Sequence, residues 1–274
     1  MRAAHIVFTF VLLAVAEHAR GACTPLRVGY VNQHRPPYFL GNGSAEAHPP
    51  GASVELIREI AAAAGCTIIS VRLPPLRLRN ALVSGEIDAT LMNAKDSDSG
   101  TFALPLDQGG KLDPARAVKM YTVVFVRAVD KIAPDTDPRL YFLSHRLGSN
   151  NGASLAEQLR QEGFRVDDGA HDGERNLEKL ARGRIDGYAA TMVSPTLMDA
   201  SVAEKFGERL VRLKIPLRMH HFWLGFTKPY YAGNREAVET MWAWMGDHAD
   251  RRFAWQVEQY AKLPLRPPGE KPGP

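Results

Sequence analysis

The stretch Leu82-Val-Ser-Gly-Glu-Ile-Asp-Ala89 decides the fold of this chain, because a second copy follows as Leu180-Ala-Arg-Gly-Arg-Ile-Asp-Gly187. Leucine, glycine, isoleucine and aspartate occupy the same places in both copies. Each copy closes an amphipathic helical run with glycine, which adopts the left-handed conformation that ends helices without a Cβ clash. A short apolar strand follows each copy, predicted over 87–92 and 185–192. The repeat therefore predicts two similar α/β lobes.

A polar residue stands at the carboxyl end of each of these strands, Asn93 after the first and Thr191 in the second. In open α/β sheets, ligands collect at the carboxyl ends of the strands. We therefore expect a ligand between the lobes, with Asn93 and Thr191 forming hydrogen bonds to its hydroxyl or amide groups.

The composition is that of a folded globular protein, with 274 residues, 45% of them hydrophobic and 23% charged. This length suits one large domain or two modest ones. The net charge is +4, and the sequence has no dense run of lysine and arginine. It therefore lacks the basic patch that is typical of nucleic-acid-binding proteins. The small net positive charge is only a weak indication of an anionic ligand.

The N-terminus reads as a secretory signal. A short basic lead precedes an uncharged apolar run over 6–16, which is too short to span a bilayer but suits a signal core. We expect residues 1–22 to be removed and the mature protein to be exported to the periplasm. No later stretch of the sequence is long and apolar enough to be a membrane helix.

Cys23 and Cys66 each precede a predicted strand, 26–32 and 67–73. If these strands are parallel neighbours, both thiols lie at one edge of the sheet, and an oxidising compartment favours a disulfide. The alternative is that Cys23 is a lipidated N-terminus, although Arg20 stands where such signals carry a leucine-like residue.

The chain is predicted to leave the first lobe, build the second and return. The first lobe covers 23–119 and 222–262, the second covers 120–221, and a proline-rich tail follows over 263–274. Residues 93–119 have weak periodicity and are predicted to form an irregular covering loop. Helices rich in aromatic residues over 242–260 are expected to buttress the first lobe. Two crossings between the lobes make a hinge at the floor of the cleft.

The residues suggest how a ligand would be held. Pro36 and Pro37 place Tyr38 and Phe39 on a loop at a strand end, where one of the two rings is expected to line the cleft. Three cations of the first lobe are predicted near it: Arg35, Arg77 and Lys95.

In the second lobe, Asn151 and Ser154 belong to a turn that enters a helix and exposes backbone N–H groups, a ready anion site. The alternative is that the turn only starts the helix, with Ser154 as its cap.

No catalytic motif stands out, and no cofactor is expected. His220 and His221 are adjacent, and neighbours on a strand point to opposite faces, so we expect structural or hinge histidines rather than metal ligands.

The chain resembles the extracytoplasmic solute-binding proteins of family 3, which share the type II periplasmic-binding fold and include polar amino-acid receptors of ABC importers. The stretches that carry the resemblance are 26–29 with 36–38, the helix after Gly51, Arg77 with 85–88, 146–148 with 152–154, 183–186, and the C-terminal helices. The resemblance implies an α/β fold of two lobes, joined by a two-strand hinge, with the ligand cleft between them.

The family's binding positions fall on Tyr38, on 93–95 and on Thr191. Amino-acid receptors of the family carry an arginine shortly after the first-lobe loop and an aspartate at the second-lobe strand end. Here residues 96–101 contain no arginine, and Thr191 replaces the aspartate. The resemblance thus implies a binding protein for a small polar solute other than a standard amino acid, an anion among the options.

The expected partners are this solute and either a membrane permease of an ABC importer or a membrane sensor. The protein itself is expected to be a monomer. Two alternatives stay open. A few relatives of this fold are exported dehydratases acting on cyclohexadienyl acids, for which Glu46 and Asp96 are the acids nearest the predicted cleft. The second alternative is that the protein is a ligand-sensing accessory subunit of a membrane receptor.

Overall fold

The computed structural model of the chain describes residues 23–150, 154–170 and 172–263. The predicted signal segment, residues 1–22, and residues 264–274 of the predicted tail lie outside the described residues. Within the described part, no helix has both the length and the apolar character that a membrane crossing requires.

The elements alternate between strands and helices along most of the chain. The strands are β1 (Leu26–Val31), β2 (Ile68–Leu73), β3 (Ala89–Met92), β4 (Phe102–Ala103), β5 (Val118–Arg127), β6 (Arg146–Asn150), β7 (Arg165–Ala170), β8 (Gly187–Met192), β9 (Leu210–Arg212) and β10 (Arg218–Thr227). The α-helices are α1 (Ala52–Ala63), α2 (Pro75–Ser84), α3 (Pro138–Tyr141), α4 (Ser154–Gln161), α5 (Gly173–Ala181), α6 (Asp199–Phe206), α7 (Lys228–Gly233), α8 (Arg235–Trp244) and α9 (Asp250–Ala261).

The sheet consists of two parallel halves joined by two antiparallel strands. Its order is β2-β1-β3-β10-β5-β8-β6-β7, with β4 beside β10 and β9 beside β5. β1 is parallel to β2 and β3, and β6 is parallel to β7 and β8. Residues 223–226 of β10 pair with β3, whereas residues 218–222 pair with β5. The two long strands thus cross from one lobe to the other, as the sequence predicted.

Each lobe has apolar cores of its own. In the first lobe, the buried side chains of α1 and of the C-terminal helices pack on β1, among them Leu56, Trp242 and Val257. In the second lobe, Leu177 and Leu180 of α5 pack on β5 and β8. The C-terminal helices buttress the first lobe, as predicted, because their aromatic stripe faces its sheet.

Both copies of the repeated motif end a helix at glycine. Gly85 follows α2 with φ 75°, and Gly183 follows the last turn of α5 with φ 69°. Side chains other than glycine adopt this left-handed region at a cost, so the two glycines fix the turn into β3 and β8.

The disulfide is confirmed, because Cys23 is bonded to Cys66. The geometry behind it is also confirmed, since β1 and β2 are parallel neighbours with Leu26 opposite Ile68. A lipidated N-terminal thioether at Cys23 is incompatible with this bond, which uses the same sulfur.

The covering loop over 93–119 is more ordered than its weak periodicity predicts. It contains 3₁₀ turns at Asp96–Gly100 and Pro114–Arg116, and between them β4 pairs with β10. The Trp223 indole N–H donates to the Asp113 carbonyl oxygen at 2.8 Å. Long-range pairing orders this segment, which explains why its local sequence pattern is weak.

Candidate functional site

A cavity of about 410 Å³ lies where the carboxyl ends of β1, β3 and β8 meet the crossing strands. Residues from the first lobe and from the crossing and second-lobe elements face each other across it. From the first lobe come, among others, Tyr30, Arg35, Tyr38, Phe39, Asn93 and Phe253. From the other side come Met120, Leu155, Gln158, Thr191 and His220.

The turn after β1 supplies three of these residues. The Arg35 backbone N–H donates to the Phe39 carbonyl at 2.7 Å, and the Tyr38 N–H donates to the Arg35 carbonyl at 2.9 Å. Tyr38 and Phe39 both line the cavity. The expectation that only one ring does so is wrong, because it assumed the alternation of a strand where the backbone turns.

The two rings are held by other aromatic side chains. Phe39 stacks on Tyr30 with ring centres 5.9 Å apart, and Tyr38 is tilted against Phe253 at the same separation. Burial raises the pKa of Tyr38, and a hydrogen bond from the Val193 backbone acts against part of that rise. Tyr38 therefore stays protonated at neutral pH, and it packs against the same buried cluster that contains Val193 after β8.

Two polar side chains, Thr191 and His220, lie at the floor of the cavity, and the buried hydroxyl of Thr122 on a third strand joins them. The Thr122 hydroxyl lies 2.8 Å from the Thr191 hydroxyl and 3.1 Å from Nε2 of His220. Burial lowers the pKa of His220, and the charges of Arg218 and His221 lower it further, while Glu162 acts in the opposite sense. The imidazole is therefore neutral near pH 7 and takes part in the floor as a hydrogen-bonding group.

The adjacent histidines lie on opposite faces of β10, as the sequence predicted for a strand. His220 lies 6.4 Å from the Phe222 ring on the cavity side, whereas His221 lies 5.7 Å from the Trp223 ring on the other side. Across the described ranges, no group of three or more His, Cys, Asp or Glu residues is placed to hold a metal ion.

Asn93 ties the tip of β3 to the crossing strand. Its side-chain amide donates to the His221 carbonyl oxygen at 3.0 Å. The amide is exposed on its other side and lines the cavity. This position gives the cavity an uncharged polar group from the first lobe, and Thr191 gives it one from the second.

Arg35 is the one arginine or lysine among the described lining residues. Its guanidinium donates to the Gln33 side chain and forms no ion pair with a described carboxylate. Partial burial lowers the pKa of Arg35, yet arginine stays charged in any folded protein. The cavity thus has one fixed positive charge at its wall.

Two other predicted cations do not line this cavity. Arg77 is exposed on α2 and lies 3.4 Å from the Glu86 carboxylate, so it forms a surface ion pair. Lys95 is exposed at the start of the 3₁₀ turn, where its backbone N–H donates to Asp98 at 2.9 Å. Neither residue is among those that line the cavity, so the first-lobe cation of the cavity is Arg35 among the described residues.

The predicted anion site at the start of α4 is only partly described. Ser154 is the first residue of α4, and Asn151 lies outside the described residues. Leu155, the next residue, and Gln158, one turn further on, line the cavity. Residues at the start of α4 therefore lie at the cavity, and the anion site at Asn151 and Ser154 stays a prediction.

Sequence reasoning missed Gln158 and Phe253 as cavity residues. Phe253 was assigned to helix packing, and it does belong to the first-lobe core while one side of its ring faces the cavity. Gln158 had a usable signal, because it lies one helical turn after Ser154 on a helix already expected to point at the cleft.

The structure was compared with known proteins. No family model and no curated protein matches the chain. Among solved structures, YCKB from Bacillus subtilis matches with a TM-score of 0.61 and 15% identity, covering 90% of this chain and 95% of that one. An amino acid ABC transporter substrate-binding protein from Streptococcus pneumoniae, bound to L-arginine, matches at 0.55 and 15%, covering 88% and 95%.

The ligand-binding core of GluR0 from Nostoc punctiforme, in complex with L-glutamate, matches at 0.55 and 13%, covering 87% of this chain and all of that one, 100%. Identities this low bear on architecture only. The chain therefore has the two-lobed α/β fold of the periplasmic substrate-binding proteins.

Proposed function

We propose that the chain is an exported solute-binding protein that captures a small polar solute, with an anion favoured, between its lobes. It presents the solute to a membrane transporter as a monomer without a cofactor. Residues 1–22 direct export, 23–119 and 222–262 form the first lobe, and 120–221 form the second. The observation that carries the proposal is the cavity at the strand ends, lined from both sides, with Arg35 at its wall.

Closure explains how such a protein reports occupancy. A solute that contacts both lobes stabilises the closed arrangement by the contacts that the open arrangement lacks. Arg35, Tyr38 and Asn93 would contact it from one side, and Thr191 with the start of α4 from the other. The crossing strands β5 and β10 would act as the hinge, because they alone run from one half of the sheet to the other in the described structure.

The solved structures of similar fold support a binding role. The Streptococcus pneumoniae protein is an amino acid ABC transporter substrate-binding protein bound to L-arginine, and the GluR0 core binds L-glutamate. The present chain lacks the residues that the family uses for the α-carboxylate and α-ammonium groups, so its solute is proposed to be of another kind.

The dehydratase alternative needs a general acid in the cleft, and the two acids considered for it lie elsewhere. Burial alone would raise the pKa of Glu46, but hydrogen bonds from Ser70 and Tyr30 and the charge of Arg58 hold it below its usual range. Asp96 accepts the Leu112 backbone N–H at 3.0 Å outside the cavity. The Glu46 carboxylate, whose two oxygens are both hydrogen-bonded, is a poor proton donor, and Asp96 does not line the cavity, which favours the binding role.

Thermal-shift screening of the mature protein against amino acids, polyamines, organic acids and phosphates tests the proposal. We expect at least one small solute to raise the melting temperature and to reduce the radius of gyration in small-angle scattering. Mass spectrometry of the recovered solute must find it unchanged. Conversion to a product would replace binding by catalysis, and a shift without compaction would argue against closure.

A further inference from the structure

The wall of the cavity is mostly hydrocarbon. Aromatic and aliphatic side chains face it from both lobes, including Phe39, Leu91, Met120, Leu155, Phe222 and Phe253. A solute that is polar over its whole surface would lose its hydration against these side chains without gaining partners. A solute with an apolar body would bury that body there at a gain proportional to its area.

The charge at the wall has one sign and one source. Arg35 is positive, and no aspartate or glutamate lies among the described lining residues. The internal segments outside the description, 151–153 and 171, also contain no acid in their sequence. His220 is neutral near pH 7 and adds no charge.

Among the described carboxylates, the one hydrogen-bonded to a lining side chain is Glu46, and both of its oxygens are occupied. Glu46 lies behind Tyr30 and accepts the phenol O–H at 2.6 Å, and it is also hydrogen-bonded by Ser70 and Arg58. Tyr30 is only 4% exposed and separates Glu46 from the cavity. An ammonium group in the cavity would therefore find no free carboxylate, and a buried cation without a partner is strongly disfavoured.

Building on the proposed function, we infer that the captured solute is a monocarboxylate with an apolar or aromatic body and no amino group. Its carboxylate pairs with the Arg35 guanidinium, which suits two parallel hydrogen bonds to a carboxylate. Its body lies against the rings and aliphatic side chains of the wall. A second carboxylate would lack a partner, so a dicarboxylate is disfavoured for the same reason as an ammonium group.

Matched pairs of solutes that differ by one group test the inference by isothermal titration calorimetry. The pairs are 3-phenylpropanoate with L-phenylalanine and 4-methylpentanoate with L-leucine, which differ by the ammonium group. 3-Phenylpropanol removes the carboxylate, and succinate removes the apolar body. We expect at least one deaminated acid to bind about tenfold or more tightly than its amino acid and, for the phenyl pair, than the alcohol.

Variants test whether Arg35 supplies the positive charge that binds the carboxylate of the solute. Arg35→Gln should weaken the binding of the acid about tenfold or more while leaving the alcohol unchanged, and Arg35→Lys should fall between. Arg139→Gln removes an exposed second-lobe arginine and serves as the control with unchanged affinity. The Arg35 side chain bonds only to Gln33 among the described residues, so the melting temperature without solute should stay the same.

A gain-of-function variant adds an independent readout. Thr191→Asp places a carboxylate in the cavity and should shift the preference toward L-phenylalanine about tenfold relative to 3-phenylpropanoate. Failure of this shift would contradict the assigned absence of an ammonium partner.

The outcomes distinguish the inferred class of solute from solute capture itself. Amino acids that bind as tightly as the deaminated acids, or succinate or polyamines that bind in their place, overturn the inference and leave solute capture standing. Turnover of a bound acid, or the absence of any binding in this set and in the broad screen, overturns capture itself.

Discussion

In the first lobe, Ile87 fills the space beside Gly29 of β1, and in the second lobe Ile185 fills the space beside Gly148 of β6. A Cβ atom added at Gly29 would lie 2.3 Å from Cδ1 of Ile87, and one added at Gly148 would lie 2.4 Å from Cδ1 of Ile185. The two isoleucines are 0% and 1% exposed. Each lobe therefore uses the same contact between a strand glycine and the isoleucine of the repeated motif.

The aspartates that follow differ. Asp88 accepts the Arg27 backbone N–H at 2.9 Å and the Arg27 guanidinium at 2.9 and 2.6 Å, and its side chain is 11% exposed. Asp186 accepts the backbone N–H of Arg146 at 2.7 Å, and its side chain is 38% exposed. The packing and the backbone hydrogen bond are thus repeated, whereas the ion pairs differ: Arg27 lies 2.6 Å from Asp88, and Arg127 lies 3.9 Å from Asp186.

The largest expected effect comes from removing the shared packing. Ile87→Ala and Ile185→Ala should each lower the free energy of unfolding by about 4 kcal/mol, because both isoleucines are fully buried and leave a cavity. Urea denaturation measures the change, with Val83→Ala on the exposed face of α2 as a control within about 0.5 kcal/mol. A large effect in one lobe and a small effect in the other would break the equivalence of the two copies.

The disulfide belongs to the first lobe, and it can be removed without changing a residue of the second lobe. Cys23→Ser together with Cys66→Ser should lower the free energy of unfolding by about 3 kcal/mol, since the bond constrains the unfolded chain over a separation of 43 residues. Denaturation with and without a reductant measures it, and the double variant should no longer respond to the reductant. An unchanged free energy of unfolding would mean that the disulfide does not stabilise the pairing of β1 with β2.

The aspartates test whether the side-chain ion pair matters. Asp88→Ala should cost about 2 kcal/mol, because it leaves the Arg27 backbone N–H without its acceptor and removes the charged hydrogen bonds. Asp186→Ala should cost about 1 kcal/mol, because it removes one backbone hydrogen bond and a long ion pair to Arg127 at a site that is partly open to water. Glu86→Ala, which removes an exposed ion pair, is the control. Equal costs would show that the Arg27 side chain contributes nothing.

The smallest effect concerns the cavity floor, where His220 bonds to the second-lobe strand ends through Thr122. The pKa of His220 is lowered below the ordinary 6.5, so on acidification the unfolded chain takes up the proton before the folded protein does. The stability that His220 contributes is therefore present above about pH 6.5 and is lost as the pH falls through the folded pKa.

His220→Gln should make the free energy of unfolding decline less steeply between pH 7.5 and 5.5 than it does in the parent, in a pH series of urea denaturations. His248→Gln, an exposed histidine, is the matched control. A parent whose stability rises on acidification across this window would contradict the sign.

Much of the fold was predictable because its signals are local. The helix–glycine–strand repeat predicted two α/β lobes, and the order of strands around Cys23 and Cys66 predicted the bond. The segment over 93–119 was less predictable, because its turns are held by distant partners such as Trp223. Local pattern carries little information where long-range contacts decide the conformation.

The cavity was predictable at the strand ends and less so elsewhere. Asn93 and Thr191 follow strands whose ends converge, and Arg35 and Tyr38 follow a third, so their arrival at one place needed only the strand order. Arg77 and Lys95 were expected near it as well, but the rotation of a helix and of a 3₁₀ turn decides where such side chains point, and the sequence does not encode that rotation locally.

The amino-acid sequence alone determined the two lobes, the paired cysteines and the polar residues at the strand tips, because helix and strand periods, glycine turns and chain order are local properties. Only the tertiary structure decided that the cavity between the lobes has a mostly apolar wall, a single arginine and no described carboxylate. The reason is that facing side chains such as Phe253 and Arg35 come from distant parts of the chain, and the crossing strands β5 and β10 bring them together.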